Sequence, residues 1–419
     1  MKQDLSHLIE QLANDLALVD IDYRVETEKS ISPDDLRGDC LLIKGDNLKA
    51  LSNLSLGFED RVDFCYIDPP YNTGGKFIYQ DKRISPAHPI WGKHSEWMSF
   101  MLPRLVLARH LLSRTGVIAI SIDDYEYAQL KILADRVFSS ECYIATLVVR
   151  RSNNGKGGKP GVSVNHEYVL LYGKTSAAEL HGLPEGEEGA YDKSDEYGEF
   201  RVDGLFRKKG DASRREDRPS MYYPLYYTAS GKVFTERLDE SWPEVFPVDS
   251  HGAERRWLWG KEKAAEESWK LFASKKGVIY VKNYNRDNKR VKIRSILDKL
   301  GYLTERATNE AKEIYGERVF ETPKPLELIR DLIDCCSKDN AIVLDFFAGT
   351  GTTAHASYQL KKRDGSQRKT ILVEHSHVIS ADHAATKEGF LTTAEITERR
   401  LKFIQEQDPS YSFSVIAVG

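Results

Sequence analysis

The sequence predicts an α/β protein: a largely parallel sheet with helices on its faces, interrupted by a second domain. Three observations predict it. Short apolar runs at 41–43, 62–67, 116–122, 342–344 and 371–373 alternate with amphipathic stretches of helical period. Each run ends at or near an acid: Asp46, Asp68, Asp123, Asp345 and Glu374. The alternation stops near residue 175 and resumes near 315. The expected division is therefore 1–174, an insertion at 175–315, and 316–419, which suits a chain of 419 residues.

Taken in order, residues 4–18 space Leu5, Leu8, Ile9, Leu12 and Leu16 as a helix, for packing or for dimerisation. LLIK is a strand, and Asp46 follows it at a strand-to-helix turn. There it can cap the helix from Leu48 or point a carboxylate into a ligand site, and on local grounds the cap is favoured. The run to Ile67 stops at Asp68-Pro69-Pro70-Tyr71. Two prolines donate no N–H, so the carbonyls beside them are expected to stay free and rigidly aimed. Lys76, Phe77, Tyr79 and Asp81 continue as a polar-aromatic loop. Residues 95–113 form a buried helix kinked at Pro103, GVIAISIDD and CYIATLVVR are strands, and LKILADRVF is a helix between them. RRSNNGKGGKPG is flexible, and NHEYVLLYGK is a further strand. After the insertion come a helix in LELIRDLIDCC, a strand–loop–helix in AIVLDFFAGTGTTAHASYQL, the strand TILVEHS and the helix TAEITERRLKFIQEQ, whose charges are expected on an exposed face.

Composition narrows the function classes. No run of 18 apolar residues exists and the N-terminus has no signal-peptide core, so no membrane span is expected and the cytoplasm is the expected location. The five cysteines show no metal-ligand spacing, so neither disulfides nor zinc are expected. The net charge of −4 argues against a histone-like binder, but 255–294 holds 13 bases against 4 acids. With Tyr222, Tyr223, Tyr226, Tyr227, Trp242, Trp257, Trp259, Tyr280 and Tyr284 in the same insertion, that stretch suits either a solvated, aromatic-pinned surface or contact with phosphates and bases.

Two loops carry chemistry. Asp345 leads into Gly349-Thr350-Gly351 and a helix whose first N–H groups, capped by Thr352 or Thr353, can face an anion. Glu374 ends the next strand, 23 residues after Gly351, where an acid can take both hydroxyls of a ribose. A nucleoside cofactor follows, either a dinucleotide or S-adenosylmethionine. Asp68-Pro69-Pro70-Tyr71 decides for the second. Hydride transfer has no use for it, whereas an exocyclic amine needs its N–H groups held before it becomes a nucleophile. The Asp68 carboxylate and the Pro69 carbonyl can accept them while Tyr71 stacks on the base. A base inside a duplex must be flipped out to reach such a pocket. No metal is required.

DPPYNTG followed by FFAGTGTTAHA resembles the β-group of DNA adenine-N6 methyltransferases, and most of all the modification (Mod) subunits of type III restriction-modification systems. GDNLKAL, WMSFMLPRLVLARHLL, GVIAISIDD, NHEYVLLYGK, TPKPLELI and EITERRL extend the resemblance over nearly the whole chain. It implies a Rossmann-like S-adenosylmethionine-dependent methyltransferase fold. Its sheet would be seven-stranded and mostly parallel, its motif order circularly permuted, with a target-recognition domain inserted at 175–315. It assigns Asp68, Pro69, Pro70 and Tyr71 to the target adenine, and Asp345, Phe347, Gly349 and Gly351 to the cofactor loop. Glu374 would hold the ribose, Thr322 and Lys324 would lie near the cofactor's methionine carboxylate, and Asp46 would approach its adenine, against the local preference for a cap. Double-stranded DNA is the implied partner; a homodimer and a restriction (Res) subunit are the protein partners it leaves open. Full-length Mod subunits carry more chain, so solitary action and action with a Res subunit both stand. Cytosine N4 is the alternative target, a DNA-recognition subunit with little turnover the alternative role.

Overall fold

The computed structural model describes residues 2–19, 21, 30–74, 81, 83, 88–154, 161–185, 191–284 and 290–419. Lys76, Phe77, Tyr79 and Pro86, the glycine-rich part of RRSNNGKGGKPG, and Arg286 and Lys289 lie outside them.

The chain divides into two compact units, 1–183 with 291–419, and Pro184–Arg290. The second falls inside the 175–315 stretch expected from the sequence. Residues 175–183 and 291–315 belong with the first unit.

The first unit is built on nine strands: β1 (Cys40–Lys44), β2 (Val62–Ile67), β3 (Leu112–Ile122), β4 (Tyr143–Arg150), β5 (His166–Gly173), β6 (Ile296–Leu297), β7 (Ile342–Asp345), β8 (Lys369–Glu374) and β9 (Phe413–Ala417). Their order is β6-β4-β5-β3-β2-β7-β8-β1-β9. The expected seven strands are present, and the two-residue β6 and the five-residue β9 extend them at the edges. All pairings are parallel except those of β5, which runs against both β3 and β4.

The central strands are apolar throughout because both faces are covered. Leu41, Ile43, Cys65, Ile67, Ile118, Ile120, Leu344, Ile371 and Val373 pack on one face. Their alternating neighbours Phe64, Tyr66, Val117, Ala119 and Val343 pack on the other. At ~1.5–3 kcal/mol per fully buried large side chain, this period-two burial sets the register, since a slip of one residue would exchange the faces. The unit's longer helices are α1 (Lys2–Asp15), α2 (Asn47–Leu54), α3 (Ser95–Leu111), α4 (Tyr127–Phe138), α5 (Thr304–Tyr315), α6 (Leu326–Cys336), α7 (Thr352–Asp364) and α8 (Thr393–Gln407). Leu5, Ile9 and Ala13 of α1, with Leu16 just beyond its end, are buried in the main core, so this stripe packs within the chain. Pro103 sits inside α3. No helix among the described residues is long and apolar enough to cross a membrane.

The chain leaves β2 toward β3 and leaves β7 toward β8, in opposite directions. The adjacent C-terminal ends of β2 and β7 are thus a topological switch point, where an open α/β sheet leaves a crevice.

The second unit holds a four-stranded antiparallel sheet (Leu271–Ala273, Ile279–Tyr284, Gly198–Leu205, Lys193–Asp195) and a small three-stranded one about Leu225–Tyr227. Phe206, Tyr223, Leu225, Trp257, Leu271 and Ile279 form its core. Tyr223, Trp257 and Tyr284, three of the candidate base-stacking aromatics, are buried, with Phe206 and Trp257 stacked 5.2 Å apart. The basic stretch is partly internal as well. Arg256 is buried on Ala212 O, and Lys282 pairs with Asp195 at 2.6 Å. Lys261, Lys263, Lys275 and Lys276 remain exposed.

Candidate active site

Four strand ends converge at the switch point. Beyond β1 lies Asp46, beyond β2 lies Asp68, and Asp345 and Glu374 are the last residues of β7 and β8. They open on one cavity of about 240 Å³. Of the twelve residues singled out from the sequence, nine line it: Asp46, Asp68, Pro70, Thr322, Lys324, Asp345, Phe347, Gly349 and Glu374. Pro69, Tyr71 and Gly351 do not.

The glycine loop is held from within. Asp345 is buried; its Oδ1 accepts Phe347 N at 3.0 Å and its Oδ2 accepts Thr353 Oγ1 at 2.5 Å. Burial pushes its carboxyl up to about 7, against the lowering effect of those two bonds. Gly349 (φ +54°) and Gly351 (φ +77°) adopt the left-handed backbone that side chains rarely take. At Gly351 a Cβ would also come within 3.2 Å of Thr397 Cγ2. Gly351 itself precedes α7 at the capping position, and neither Thr352 nor Thr353 caps the helix; Thr353 is drawn to Asp345 instead. Glu374 Oε2 accepts Gly349 N at 2.7 Å, tying β8 to the loop, and burial raises this carboxyl to about 7 too.

Outside supports complete the loop. Tyr315 at the end of α5 donates to Thr350 O or Ile396 O (3.1 and 3.2 Å), and Thr397 of α8 donates to Gly349 O (2.6 Å). Arg400 on α8 is fully buried, with Nη1 2.5 Å from Glu310 and Nη2 3.4 Å from Thr350 Oγ1. The expectation that the charges of α8 all face solvent is corrected here. A buried arginine needs a partner, and Glu310 of α5 supplies it.

Asp46 does cap α2, its Oδ1 accepting Leu48 N (2.9 Å) and Lys49 N (3.1 Å), while Oδ2 lies 3.5 Å from Arg104 and the residue lines the cavity. The cap and the cavity-facing carboxylate therefore coexist. Beside it Asn47, which sequence reasoning missed, accepts Arg104 Nε (2.6 Å) and donates to Phe346 O (2.9 Å), linking the β1 turn to the glycine loop.

The Asp68–Tyr71 loop is held differently. Pro70 O accepts the Trp97 indole N–H at 2.7 Å, so this carbonyl is engaged rather than free. No described residue donates to Pro69 O. Asn72 (φ +60°) is buried, donating to Asp81 and Glu126 and accepting Arg83 N. Asp68 keeps a quarter of its side-chain surface exposed, yet its Oδ1 is buried without a hydrogen-bond partner among the described residues. Lys324 Nζ comes within 3.2 Å of that oxygen, near enough for an ion pair but off hydrogen-bond geometry. The same ammonium donates to Tyr71 OH (2.6 Å) and lies 2.9 Å from both oxygens of Glu167. Burial raises the Asp68 carboxyl, and the Lys324 charge opposes that rise. Lys324 is thus committed to three acceptors, and Tyr71 to a polar cluster through its hydroxyl. Glu167 was not read as a site residue, although it begins the apolar run of NHEYVLLYGK; its place depends on β5 being antiparallel, which no local signal announces.

Several known proteins are similar to this chain in sequence. A family profile for N6/N4 methyltransferases, described as DNA methylase, matches residues 62–405. The type II methyltransferase M.KpnI of Klebsiella pneumoniae is 50% identical over 98% of both chains. The type III restriction-modification enzyme EcoPI Mod subunit of Escherichia phage P1 is 34% identical over 90% of this chain and 64% of its own. Among solved structures, the cytosine-N4-specific PvuII DNA methyltransferase aligns over 93% of this chain and 99% of its own, at 11% identity and a TM-score of 0.43. With the matched profile spanning most of its length, the chain belongs to the N6/N4 DNA methylase family.

Proposed function

We propose that this protein transfers a methyl group from S-adenosylmethionine to N6 of an adenine flipped out of double-stranded DNA. The supporting observation is the single cavity onto which Asp68, the glycine loop and Glu374 all open. The donor set suits the cofactor. Glu374 offers a carboxylate for ribose hydroxyls, the left-handed glycines allow close backbone approach, Phe347 offers an apolar face, and Asp46 an acceptor for an exocyclic amine. Thr322 lines the same cavity and is assigned to the cofactor's amino-acid end.

S-adenosylmethionine supplies an electrophilic methyl group. The protein's part is to prepare the nucleophile. The Asp68 carboxylate and Pro69 carbonyl accept the two N6–H bonds, which localises the nitrogen lone pair, and the proton that leaves N6 passes to the exposed oxygen of Asp68, not to the buried Oδ1, and on to water. Pro70, fixed by Trp97, stiffens the loop, and Tyr71 presents its ring while its hydroxyl is held. Residues 184–290 are assigned to target recognition.

The match to M.KpnI over 98% of both chains favours a methyltransferase that works without a Res subunit. The experiment is incubation of a duplex DNA library with methyl-labelled S-adenosylmethionine. Label in N6-methyladenine at one recurring sequence is expected; a folded protein that labels cytosine N4, or nothing, overturns the reading.

A further inference from the structure

Three separated segments meet behind Asp68. The loop after β2 brings Asp68 and Tyr71, the turn before α6 brings Lys324, and β5 brings Glu167. Because β5 is antiparallel, its first residues lie at the same end of the sheet as the last residues of β2 and β3; Tyr168 pairs with Ile122. Lys324 and Glu167 are both nearly buried, with 12% and 6% of their side-chain surface exposed.

The distances within the cluster are unequal. Lys324 Nζ sits 2.9 Å from each Glu167 oxygen and 2.6 Å from Tyr71 OH, but 3.2 Å and out of alignment from Asp68 Oδ1. An ammonium has three N–H donors. Glu167 and Tyr71 engage them, and Asp68 Oδ1 is left a buried acceptor without a donor. Without the Glu167 charge, the strongest remaining acceptor for Lys324 is Asp68 itself.

We propose that Glu167 is a positioning residue for Asp68: it holds the Lys324 ammonium against Tyr71 and off hydrogen-bond geometry with the buried Oδ1 of the Asp68 carboxylate, whose exposed oxygen receives the adenine amino group. The inference rests on the reading of Asp68 as that acceptor. Two carboxylates share one cation here, and removing either charged partner changes what Asp68 feels. The other groups facing Asp68 are the hydroxyls of Tyr71 and Tyr66 and the carboxyl of Asp345, while Arg151 acts on Lys324. Among the carboxyl's neighbours Lys324 lowers its proton affinity and Glu167 raises it.

The test is steady-state methylation of duplex DNA against pH by Glu167→Gln, Glu167→Asp, Lys324→Met and the Glu167→Gln/Lys324→Met double variant. S-adenosylmethionine affinity and thermal melting are followed alongside. Glu167→Gln is expected to lose roughly 10- to 100-fold in kcat with cofactor affinity within about twofold, as one misplaced hydrogen-bonding group commonly costs. Its acidic limb moves to lower pH, because an uncompensated Lys324 makes Asp68 harder to protonate. Lys324→Met moves that limb to higher pH. Glu167→Asp keeps it near the wild-type position, and the double variant recovers part of the kcat lost by Glu167→Gln. A Glu167→Gln enzyme whose kcat and acidic limb match the wild type, or whose limb moves upward, overturns the proposal. Should Glu167→Gln fail to fold, Glu167→Asp and Lys324→Met decide it: a Lys324→Met limb that stays in place or falls overturns it. A wild-type enzyme that leaves adenine unmethylated defeats the underlying reading instead, so the two failures are distinct.

Discussion

Asp68 and Asp345 occupy equivalent places: each is an aspartate at the C-terminal end of one of two adjacent parallel strands, and both line one cavity. Their surroundings differ. Both oxygens of Asp345 are engaged by its own loop, through Phe347 N and Thr353 Oγ1. Asp68 has an oxygen with no donor, facing a lysine held by other residues. One position thus yields a loop-building carboxylate in one strand and, on the proposed function, a reactive one in the next. What separates them is the following residues: glycines and a threonine let the chain fold back onto Asp345, whereas two prolines carry it away from Asp68 without offering an N–H.

The largest effect is expected at Asp68. Asp68→Ala should lower kcat by about 10³-fold or more, the scale of losing an acceptor that holds the reacting group. Melting temperature and S-adenosylmethionine affinity should stay close to wild type, since no described residue donates a hydrogen bond to Oδ1. A collapse of cofactor binding, read by calorimetry, would place Asp68 with Asp345 and remove the contrast. Asp345→Ala should behave in the opposite way. It leaves Phe347 N and Thr353 Oγ1 without their acceptor, which costs about 3 kcal/mol of stability, and cofactor affinity falls with the loop. Chemical denaturation of the two variants side by side checks the pair.

Much of this contrast was legible in the sequence, because both loops are local. An apolar run ending in Asp-Pro-Pro-Tyr, and another entering Gly-Thr-Gly, specify strand ends and backbone freedom within ten residues. Side-chain partners from distant segments were not legible. Glu167 reaches the site only because β5 reverses direction, and it meets Lys324 and Tyr71 there although no local pattern links the three segments. Arg400 looked like one more charge on a solvated helix until Glu310 of α5 was placed beside it. The edge of the insertion blurred for a related reason. Helix α5 turns mainly Ala307, Ala311, Ile314 and Tyr315 inward, a weak apolar stripe in charged surroundings.

A pH experiment sharpens the comparison from the Glu374 side. Its carboxyl rises from 4.5 to about 7 on burial. The folded state therefore binds a proton that the unfolded chain has already released, and stability falls as pH rises between those values. For this one group the loss between pH 5 and 7 is ~2 kcal/mol. Asp345, raised to about 7 as well, adds to the same slope. Glu374→Gln keeps an acceptor for Gly349 N and removes the titration, so its melting temperature should fall less steeply over pH 5–7. An unchanged slope would mean the glycine loop is not held by a buried, protonatable carboxyl.

The smallest effect is expected at Asp46, where a loop-building role and a ligand-facing one meet in a single residue. Its Oδ1 caps α2 through Leu48 N and Lys49 N, and its Oδ2 lies near Arg104 on the cavity wall. Asp46→Ala removes the cap and should cost about 1 kcal/mol. Asp46→Asn keeps a capping oxygen, so its stability should return to within a few tenths of a kcal/mol of wild type. The two variants then part on binding. If Asp46 serves only the helix, Asn restores S-adenosylmethionine affinity along with stability. If its charge also approaches the cofactor's adenine, as proposed, the Asn variant melts like the wild type yet binds the cofactor several-fold more weakly. Full recovery of both in the Asn variant would move Asp46 to the loop-building side with Asp345.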